Sequence, residues 1–302
     1  MNNAEINTIY AKTRRIDGNK KMRSRIIMKN LKGIIGGTIL IIIVLLAILG
    51  PSLYKVDPNS TNITNRLKPP ALFGGCMEHP FGTDELGRDI LSRIMQGARV
   101  SLMVSVSAVL ISILFGVPLG MIAGYYGGVI DNVLMRIGDI QLSIPFLVLA
   151  IAIVAVLGPS LVNVVIILGV TGWVQFARLV RANTMKIKGQ EFILAAKAMG
   201  SSSFRIFYSH ILRNILSTII VLATFQLALL IIVESSLSFL GLGVPLPTAS
   251  WGSMINDGRN YLQMAWWLST IPGCMITLIV LGANLFGDWL RDSFDPHLKH
   301  QG

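Results

Sequence analysis

The sequence predicts an all-α membrane protein with six transmembrane helices. Hydrophobic residues make up 53% of the 302 residues and charged residues only 14%, whereas soluble domains carry about 25% charged residues. Six stretches of the chain are apolar over about 20 residues, which is the length that a helix needs to cross a bilayer. Because lipid offers no partner for backbone hydrogen bonds, such stretches form helices. The composition therefore excludes the soluble classes of protein.

The six predicted spans are marked by glycine and proline. Pro51 ends the first span, and Pro145 and Pro272 lie within the third and the sixth, where each would bend its helix. Gly33 and Gly37 form a G-x-x-x-G pair in the first span, which favours close helix packing. The predicted spans cover about residues 33–50, 100–123, 137–157, 160–177, 215–240 and 269–290.

The distribution of basic residues predicts that both termini are cytoplasmic. Nine Lys and Arg residues lie within residues 12–32, just before the first span, and seven more lie between Arg178 and Arg213. Cytoplasmic segments of membrane proteins carry such an excess. Because no aromatic residues interleave with the basic run, the net charge of +11 indicates membrane topology and not nucleic-acid binding.

These boundaries divide the chain into five segments. The predicted core domain holds five helices and includes a cytoplasmic loop over residues 179–214. The segments are a basic cytoplasmic segment (1–32), the first transmembrane helix (33–50), an external loop (51–98), the core domain (99–290) and a cytoplasmic tail (291–302).

The external segment HPFGTDELGRDILSRIMQGARVSL, residues 79–102, is dense in charges and glycines. Apolar residues recur on one helical face over residues 86–98, which predicts an amphipathic helix at the outer interface. Thr83 or Asp84 could cap that helix. A charge network or a contact with an external partner is an open alternative. The residues of this motif are Gly82, Thr83, Asp84, Gly87, Arg88 and Asp89.

The segment EFILAAKAMGSSSFRIFYSHILRN, residues 191–214, lies between the fourth and fifth predicted spans. Its apolar stripe predicts a short helix that ends at Ser201–Ser203, and a second helix begins at about Phe204 and returns to the membrane. Small residues let another protein approach such a helix closely, so the segment is predicted to be a docking helix. These small residues are Ala195, Ala196 and Gly200.

The sequence carries no recognisable catalytic motif. It has no nucleotide-binding loop, no metalloprotease motif and no hydrolase motif. Cys76 and Cys274 are distant in sequence and show no metal-ligand spacing, so we expect neither a disulfide nor a metal site. If the chain moves a solute uphill, it must therefore take the energy from an ion gradient or from a partner protein.

Acidic residues within the predicted spans are candidates for a pathway or a gate, because burying a charge is costly. Glu234, late in the fifth span, is the deepest of them. It is interpreted as a buried group hydrogen-bonded to a neighbouring helix, as a gate or as a proton relay. Asp139 lies near the inner end of the third span, where Arg136 could pair with it. Asp288 lies at the inner end of the sixth span.

Four segments together match one family. They are residues 79–102, GDIQLSIPFLVLAI at 138–151, residues 191–214 and ESSLSFLGLGVPLPTASWGSMI at 234–255. The chain resembles the peptide/nickel-type inner-membrane permeases of ABC importers over roughly residues 30–298, in particular the second permease of dipeptide and oligopeptide systems.

The resemblance implies an architecture and a set of partners. It implies the type I ABC importer fold and a multi-pass protein of the bacterial inner membrane. A second homologous permease would complete the pathway, two cytoplasmic ATPases would bind ATP and Mg, and an extracytoplasmic binding protein would deliver the substrate. This chain would bind no cofactor of its own and would not be an enzyme.

The resemblance also implies which residues contact the ATPase. The family pattern Ala-Ala-x-x-x-Gly falls within the segment 191–214, but Leu194 stands where the family often has an acid and Arg213 where it has proline. Glu191, one helical turn before the alanines, could replace the missing acid. The residues expected at this contact are Glu191, Ala195, Ala196, Gly200 and Arg205.

Three functional alternatives remain open at this point. Within the same family, the substrate could be nickel or a nickel–metallophore complex, although the chain offers no His- or Cys-rich pathway for a bare metal. An ion-coupled secondary transporter would need internal symmetry or paired buried acids, and neither is visible in the sequence. A membrane enzyme or a structural subunit is the third alternative.

Overall fold

The computed structural model describes residues 30–294. The regular elements within these residues are helices. Short 3₁₀ turns lie at Ile63–Asn65, Ala71–Phe73 and Arg259–Tyr261. The basic residues before position 30 and the tail after position 294 lie outside the described residues. The helices are α1 (Asn30–Leu53), α2 (Ile90–Tyr126), α3 (Gly128–Ser143), α4 (Phe146–Leu157), α5 (Leu161–Lys188), α6 (Glu191–Ala198), α7 (Ser203–Arg205), α8 (Arg213–Phe239), α9 (Trp251–Gly258) and α10 (Trp267–Phe294).

Five helices over residues 30–294 are long and apolar enough to cross a membrane. They are α1, α2, α5, α10 and the continuous helix Ser203–Phe239, which joins α7 to α8 through a π-helical segment at Ile206–Leu212. The pair α3 and α4 gives a sixth span if the two are counted together. The predicted all-α membrane fold is therefore confirmed, and the cytoplasmic placement of the termini stays a prediction.

The third predicted span is broken in two and is not a single kinked helix. Helices α3 and α4 meet at an angle of 86°. Ile144 between them is extended, with φ −93° and ψ 123°, because the ring of the following Pro145 disfavours helical backbone at the preceding residue. Gln141 fixes the end of α3 against α5 by donating to the Thr171 carbonyl at 2.7 Å and accepting from Trp173 Nε1 at 2.9 Å.

A stripe of three glycines brings α2 and α5 into backbone contact. Gly116, Gly120 and Gly124 recur every four residues along α2 and are buried. A Cβ atom added at Gly120 would lie 2.5 Å from the carbonyl oxygen of Ala177, and the other two glycines meet α5 carbonyls in the same way. Small residues at this spacing allow two membrane helices to approach closely. The pair forms the centre of the fold, although the sequence analysis did not single it out.

The glycines of α1 pack against α10. A Cβ atom at Gly36 would lie 2.6 Å from the backbone nitrogen of Phe286, and one at Gly33 would overlap the ring of Trp289. Gly37 has more room, since its nearest neighbour is the Phe286 ring at 3.7 Å. The predicted close packing is therefore within the chain, and it holds the first span onto the core domain.

Two helices extend well beyond the predicted membrane spans. Helix α5 continues to Lys188, so the connection predicted as residues 179–214 is shortened at its start, and the returning helix begins at Ser203. Helix α2 begins at Ile90, and no separate amphipathic helix precedes it. That prediction is wrong because the chain turns at residues 84–88, where the backbone nitrogen of Gly87 donates to the Asp84 carbonyl at 3.0 Å. Arg93, in the first turn of α2, is buried.

Candidate functional site

Helix α6 forms a short exposed connection between two spanning helices. Glu191 lies in its first turn, where the positive end of the helix dipole favours an acid. After the helix ends, Gly200 adopts a φ of +79°. Residues other than glycine rarely adopt this left-handed backbone conformation. Ser202 then caps α7 by accepting from the backbone nitrogen of Arg205 at 3.4 Å. These residues fix the direction of the chain on both sides of the connection.

The two faces of α6 have different environments. Ile193 and Ala196 are only 1% and 5% exposed, and Ile193 belongs to the same apolar cluster as Ile206 and Ile211 of the π-helical segment. Ala195 lies on the exposed face. The structure thus differs from the sequence prediction at Ala196, which follows Ile193 by three residues and shares its inward face.

Large apolar side chains are exposed around α6. Leu194 is 54% exposed, Met199 81% and Phe204 79%. Lys197 and Arg205 are exposed in the same segment. We name the exposed side of residues 191–205 the α6 surface. An exposed apolar patch rimmed by polar residues is typical of a site that binds another protein.

Charged side chains of the external loop form a buried network. Arg88 Nε donates to Asp84 Oδ2 at 2.6 Å, and Arg88 Nη2 donates to Glu85 Oε1 at 3.0 Å. Asp84 Oδ1 accepts from two backbone N–H groups of the same turn, at 2.8 and 2.9 Å. Gly87 has a φ of +72°, and a Cβ atom there would overlap the carbonyl oxygen of Asn62. The turn therefore requires glycine, and it holds Asp84 and Arg88 together.

Arg93 extends this network from α2 to α9. Its side chain is 1% exposed, with Nε 3.5 Å from Asp84 Oδ2 and Nη2 3.4 Å from Asp257 Oδ2. Arg88 Nη2 lies 3.6 Å from the same oxygen of Asp257. Burial raises the pKa of both Glu85 and Asp257, because it penalises their charged forms. The charge network considered from the sequence is thus present, and it includes Asp257, which the sequence analysis missed.

Asp89 is the N-cap of α2. Its Oδ2 accepts from the backbone nitrogen of Ser92 at 2.8 Å, and its Oδ1 lies 3.0 Å from His79 Nδ1. The same Oδ1 accepts from the Tyr54 hydroxyl at 3.3 Å. Burial, together with the negative charge of Asp89, raises the pKa of Tyr54 to about 12. Asp89 therefore joins the helix start to the end of α1.

Thr83 fixes the external loop and does not cap the helix. Its Oγ1 accepts from the backbone nitrogen of Lys68 at 2.8 Å, and its carbonyl oxygen accepts from Trp267 Nε1 at 3.2 Å. The neighbouring Gly82 accepts from the backbone nitrogen of Ile90 at 3.1 Å. The predicted cap by Thr83 or Asp84 is wrong, because both side chains form hydrogen bonds within the external loop.

Glu234 is fully buried in α8 and is held by serine hydroxyls. Ser238 donates to its Oε1 and Ser101 of α2 donates to its Oε2, both at 2.8 Å. Ser235 lies at 3.5 Å from the same Oε2. The carboxyl group thus ties α8 to α2, which corresponds to the interpretation of a buried group bonded to a neighbouring helix.

Asp139 is exposed and pairs with α5. Arg178 Nη2 donates to Asp139 Oδ1 at 2.6 Å, so the partner is Arg178 and not the expected Arg136. A second pair on the same two helices joins Arg181 to the buried Asp131, with one contact of 2.6 Å. The two ion pairs join α3 to α5 at two points, Asp131 near the start of α3 and Asp139 five residues before Ile144 at the bend. Asp131 was missed because its partner lies 50 residues away in the chain.

The comparisons with known proteins identify the family of this chain. Residues 116–300 match the family described as "Binding-protein-dependent transport system inner membrane component". Residues 24–70 match the "N-terminal TM domain of oligopeptide transport permease C". The chain belongs to the binding-protein-dependent inner-membrane transport components. It is thus a multi-pass inner-membrane permease and a transport component, not an enzyme.

Curated relatives of this permease match over most of its length. It is 46% identical to the dipeptide transport system permease protein DppC of Alkalihalophilus pseudofirmus, over 90% of this chain and 88% of the relative. It is 39% identical to the oligopeptide transport system permease protein OppC of Bacillus subtilis, over 89% and 87%. It is 41% identical to the dipeptide permease DppC of Haemophilus influenzae, over 90% and 92%.

A solved structure shares the fold of this permease. A chain of the MetNI methionine ABC transporter, in inward-facing conformations, aligns with a TM-score of 0.55 and 19% identity. The match covers 67% of this permease and 97% of the solved chain. At this identity the likeness shows the fold alone, which is that of an ABC importer permease.

Proposed function

We propose that this chain is the permease subunit of an ATP-driven importer that takes up peptides. The observation that carries this proposal is the match to dipeptide and oligopeptide permeases at 39–46% identity over about nine tenths of the chain. In this proposal the chain forms half of the translocation pathway, and a second homologous permease forms the other half. An extracytoplasmic binding protein delivers the peptide.

The α6 surface is the proposed contact with one of two cytoplasmic ATPase subunits, which bind ATP and Mg. Its exposed face carries Leu194, Met199 and Phe204. These side chains support docking into an apolar pocket of a partner protein. Its buried face packs through Ile193 into the core cluster that contains Ile206 and Ile211. A displacement of α6 by the ATPase would therefore reach the spanning helices through packed side chains.

Co-purification tests the proposed partners. The tagged chain is extracted in a mild detergent, and the proteins that accompany it are identified by mass spectrometry. We expect a second permease and ATPase subunits. Recovery of a stable chain without any ATPase would contradict the importer and favour a self-sufficient carrier.

Reconstitution tests the proposed substrate. The complete transporter is placed in proteoliposomes with its binding protein, and uptake of a radiolabelled dipeptide is measured with and without ATP. We expect uptake that requires ATP and persists in the presence of an uncoupler. Uptake of nickel in place of the dipeptide would assign the chain to the metal branch of the family.

A further inference from the structure

A cavity of about 500 Å³ lies where the end of α1 meets α2 and the start of α5. Its walls come from residues between Pro51 and Pro58, from one side of α2 between Ser92 and Met103, and from Leu161 and Thr248. The volume falls in the range of about 300–1,000 Å³ that small-molecule sites occupy. The cavity lies on the side of the membrane that the charge distribution predicts to be external.

Two positively charged side chains line the cavity. Arg99 and Lys55 both line it and are exposed. Within residues 30–294 neither side chain has a hydrogen-bond or ion-pair partner. Leu161, the first residue of α5, also lines the cavity, and no side chain caps that helix terminus. A guanidinium group and free backbone N–H groups at a helix start are both suited to bind a carboxylate.

A negative group lines the same cavity without neutralising those charges. Asp57 accepts one hydrogen bond, from the backbone nitrogen of Asn59 to Oδ1 at 2.9 Å. It forms no ion pair with Arg99 or Lys55 in the described part of the chain. Opposite charges that share a cavity and are not paired leave both available to a ligand that carries both signs.

Part of the cavity wall is apolar and adaptable. Met95 and Met103 line it together with Val100. Methionine side chains are flexible and polarisable, so they pack against ligand groups of different shape. Such a wall suits a set of ligands with constant ends and variable side chains.

We propose that this cavity binds the zwitterionic backbone of a short, unblocked peptide. Arg99, with the start of α5, binds the α-carboxylate, and Asp57 binds the α-ammonium group. Met95 and Met103 contact the peptide side chains, which gives the site little preference among them. The inference rests on the proposed function and adds to it a specific binding site on the permease itself.

Protection of an engineered cysteine tests this site directly. Met103→Cys is placed in a Cys76→Ser, Cys274→Ser chain, and the permease is purified with its partner subunits. Its rate of reaction with a soluble maleimide is measured against rising concentrations of dialanine. We expect dialanine to slow the reaction, and N-acetylated or C-amidated dialanine to do so only at concentrations at least tenfold higher.

Two further substitutions identify the charged groups. Arg99→Gln should raise the dialanine concentration needed for half-protection at least tenfold, whereas Arg99→Lys, which keeps the charge, should raise it less. In the Arg99→Gln chain, the difference between free and amidated dialanine should shrink, because only the start of α5 remains to distinguish them. Asp57→Asn should abolish the distinction between free and N-acetylated dialanine, because Asp57 is the group proposed to bind the ammonium.

The outcomes separate this inference from the proposed function. Dialanine uptake by the complete wild-type transporter, combined with labelling that dialanine does not slow, would overturn the site and leave the importer proposal intact. Protection without ATP-dependent uptake would support the site and overturn the importer. Absence of both would overturn both. Equal protection by free and blocked dialanine in the wild-type site would also overturn the proposed recognition of termini.

Discussion

Arg93 and Asp257 are 164 residues apart in the chain, yet Arg93 Nη2 lies 3.4 Å from Asp257 Oδ2 in the buried network that joins α2 to α9. Arg93 is 1% exposed, so loss of its partner would leave a buried charge with Asp84 as its remaining close acid. Breaking one side of a buried ion pair costs about 3–5 kcal/mol. Because the side chain of Asp257 is 25% exposed, we expect the loss of stability here to lie at or below the lower end of that range.

We therefore predict that Asp257→Ala lowers the thermal unfolding temperature of the purified transporter by several degrees. The measurement is intrinsic tryptophan fluorescence on heating in detergent. Glu78→Gln is the matched control, because Glu78 is an exposed acid of the same external region and should change the temperature little. Equal effects of the two substitutions would show that the network does not stabilise the fold.

The glycine stripe of α2 gives a second prediction. Gly120→Leu should prevent the contact with Ala177 of α5 and reduce the yield of monodisperse protein on size-exclusion chromatography, since overpacking a close contact costs about 1–3 kcal/mol or more. Gly273→Leu in α10 is the control, because a Cβ added there would have no atom within 4 Å other than those of its chain neighbours and its own helix backbone. A monodisperse Gly120→Leu protein at wild-type yield would contradict the importance of this contact.

The turn after α6 gives a third prediction. Gly200→Trp should abolish ATP-driven uptake while the chain stays in the membrane, because the side chain would be forced into a φ of +79° on the α6 surface. Gly200→Asn should retain much of the uptake, since asparagine tolerates the left-handed region better than other residues. Membrane content is checked by immunoblot. Wild-type uptake by a well-expressed Gly200→Trp chain would exclude a role for this turn.

The buried carboxyl group of Glu234 gives a fourth prediction. Glu234→Ala removes the acceptor of the Ser101 and Ser238 hydroxyls, and each unsatisfied buried group costs about 1–3 kcal/mol. We expect the substitution to lower the thermal unfolding temperature, measured by tryptophan fluorescence on heating in detergent. Glu234→Gln keeps one oxygen acceptor and should retain ATP-driven uptake. Loss of uptake in a stable Glu234→Gln protein would favour the gate or the proton relay.

The sequence predicted the parts of the fold that lipid imposes. Apolar length located the spans, and Pro145 marked the break between α3 and α4, although its 86° angle could not be inferred from one proline. The repeat of Gly116, Gly120 and Gly124 was readable as a packing stripe and was overlooked. Helix α5 passes beyond the apolar stretch to Lys188, because a helix that leaves the membrane does not need apolar residues to continue.

The candidate sites were predicted less well, because their partners are distant in sequence. The turn containing Asp84 and Arg88 could be located from its charges, but Asp257 lies in another helix and only the fold brings it there. The burial of Ala196 follows from the side on which α6 packs, which a pattern of small residues does not specify. Asp89 was recognised as part of the motif, and only the structure assigned it the cap.

The contact between α2 and α5 has a consequence for how this protein can change in evolution. Most packed positions can exchange volume with a neighbour, so that a larger side chain on one helix is offset by a smaller one on the other. At Gly120 the facing atom is the carbonyl oxygen of Ala177, which belongs to the backbone and cannot be made smaller. No amino acid is smaller than glycine, so neither side of this contact offers a compensating substitution. Descendants of this chain can offset a change of volume at other packed positions of the two helices, but they inherit this contact unchanged or must move a whole helix.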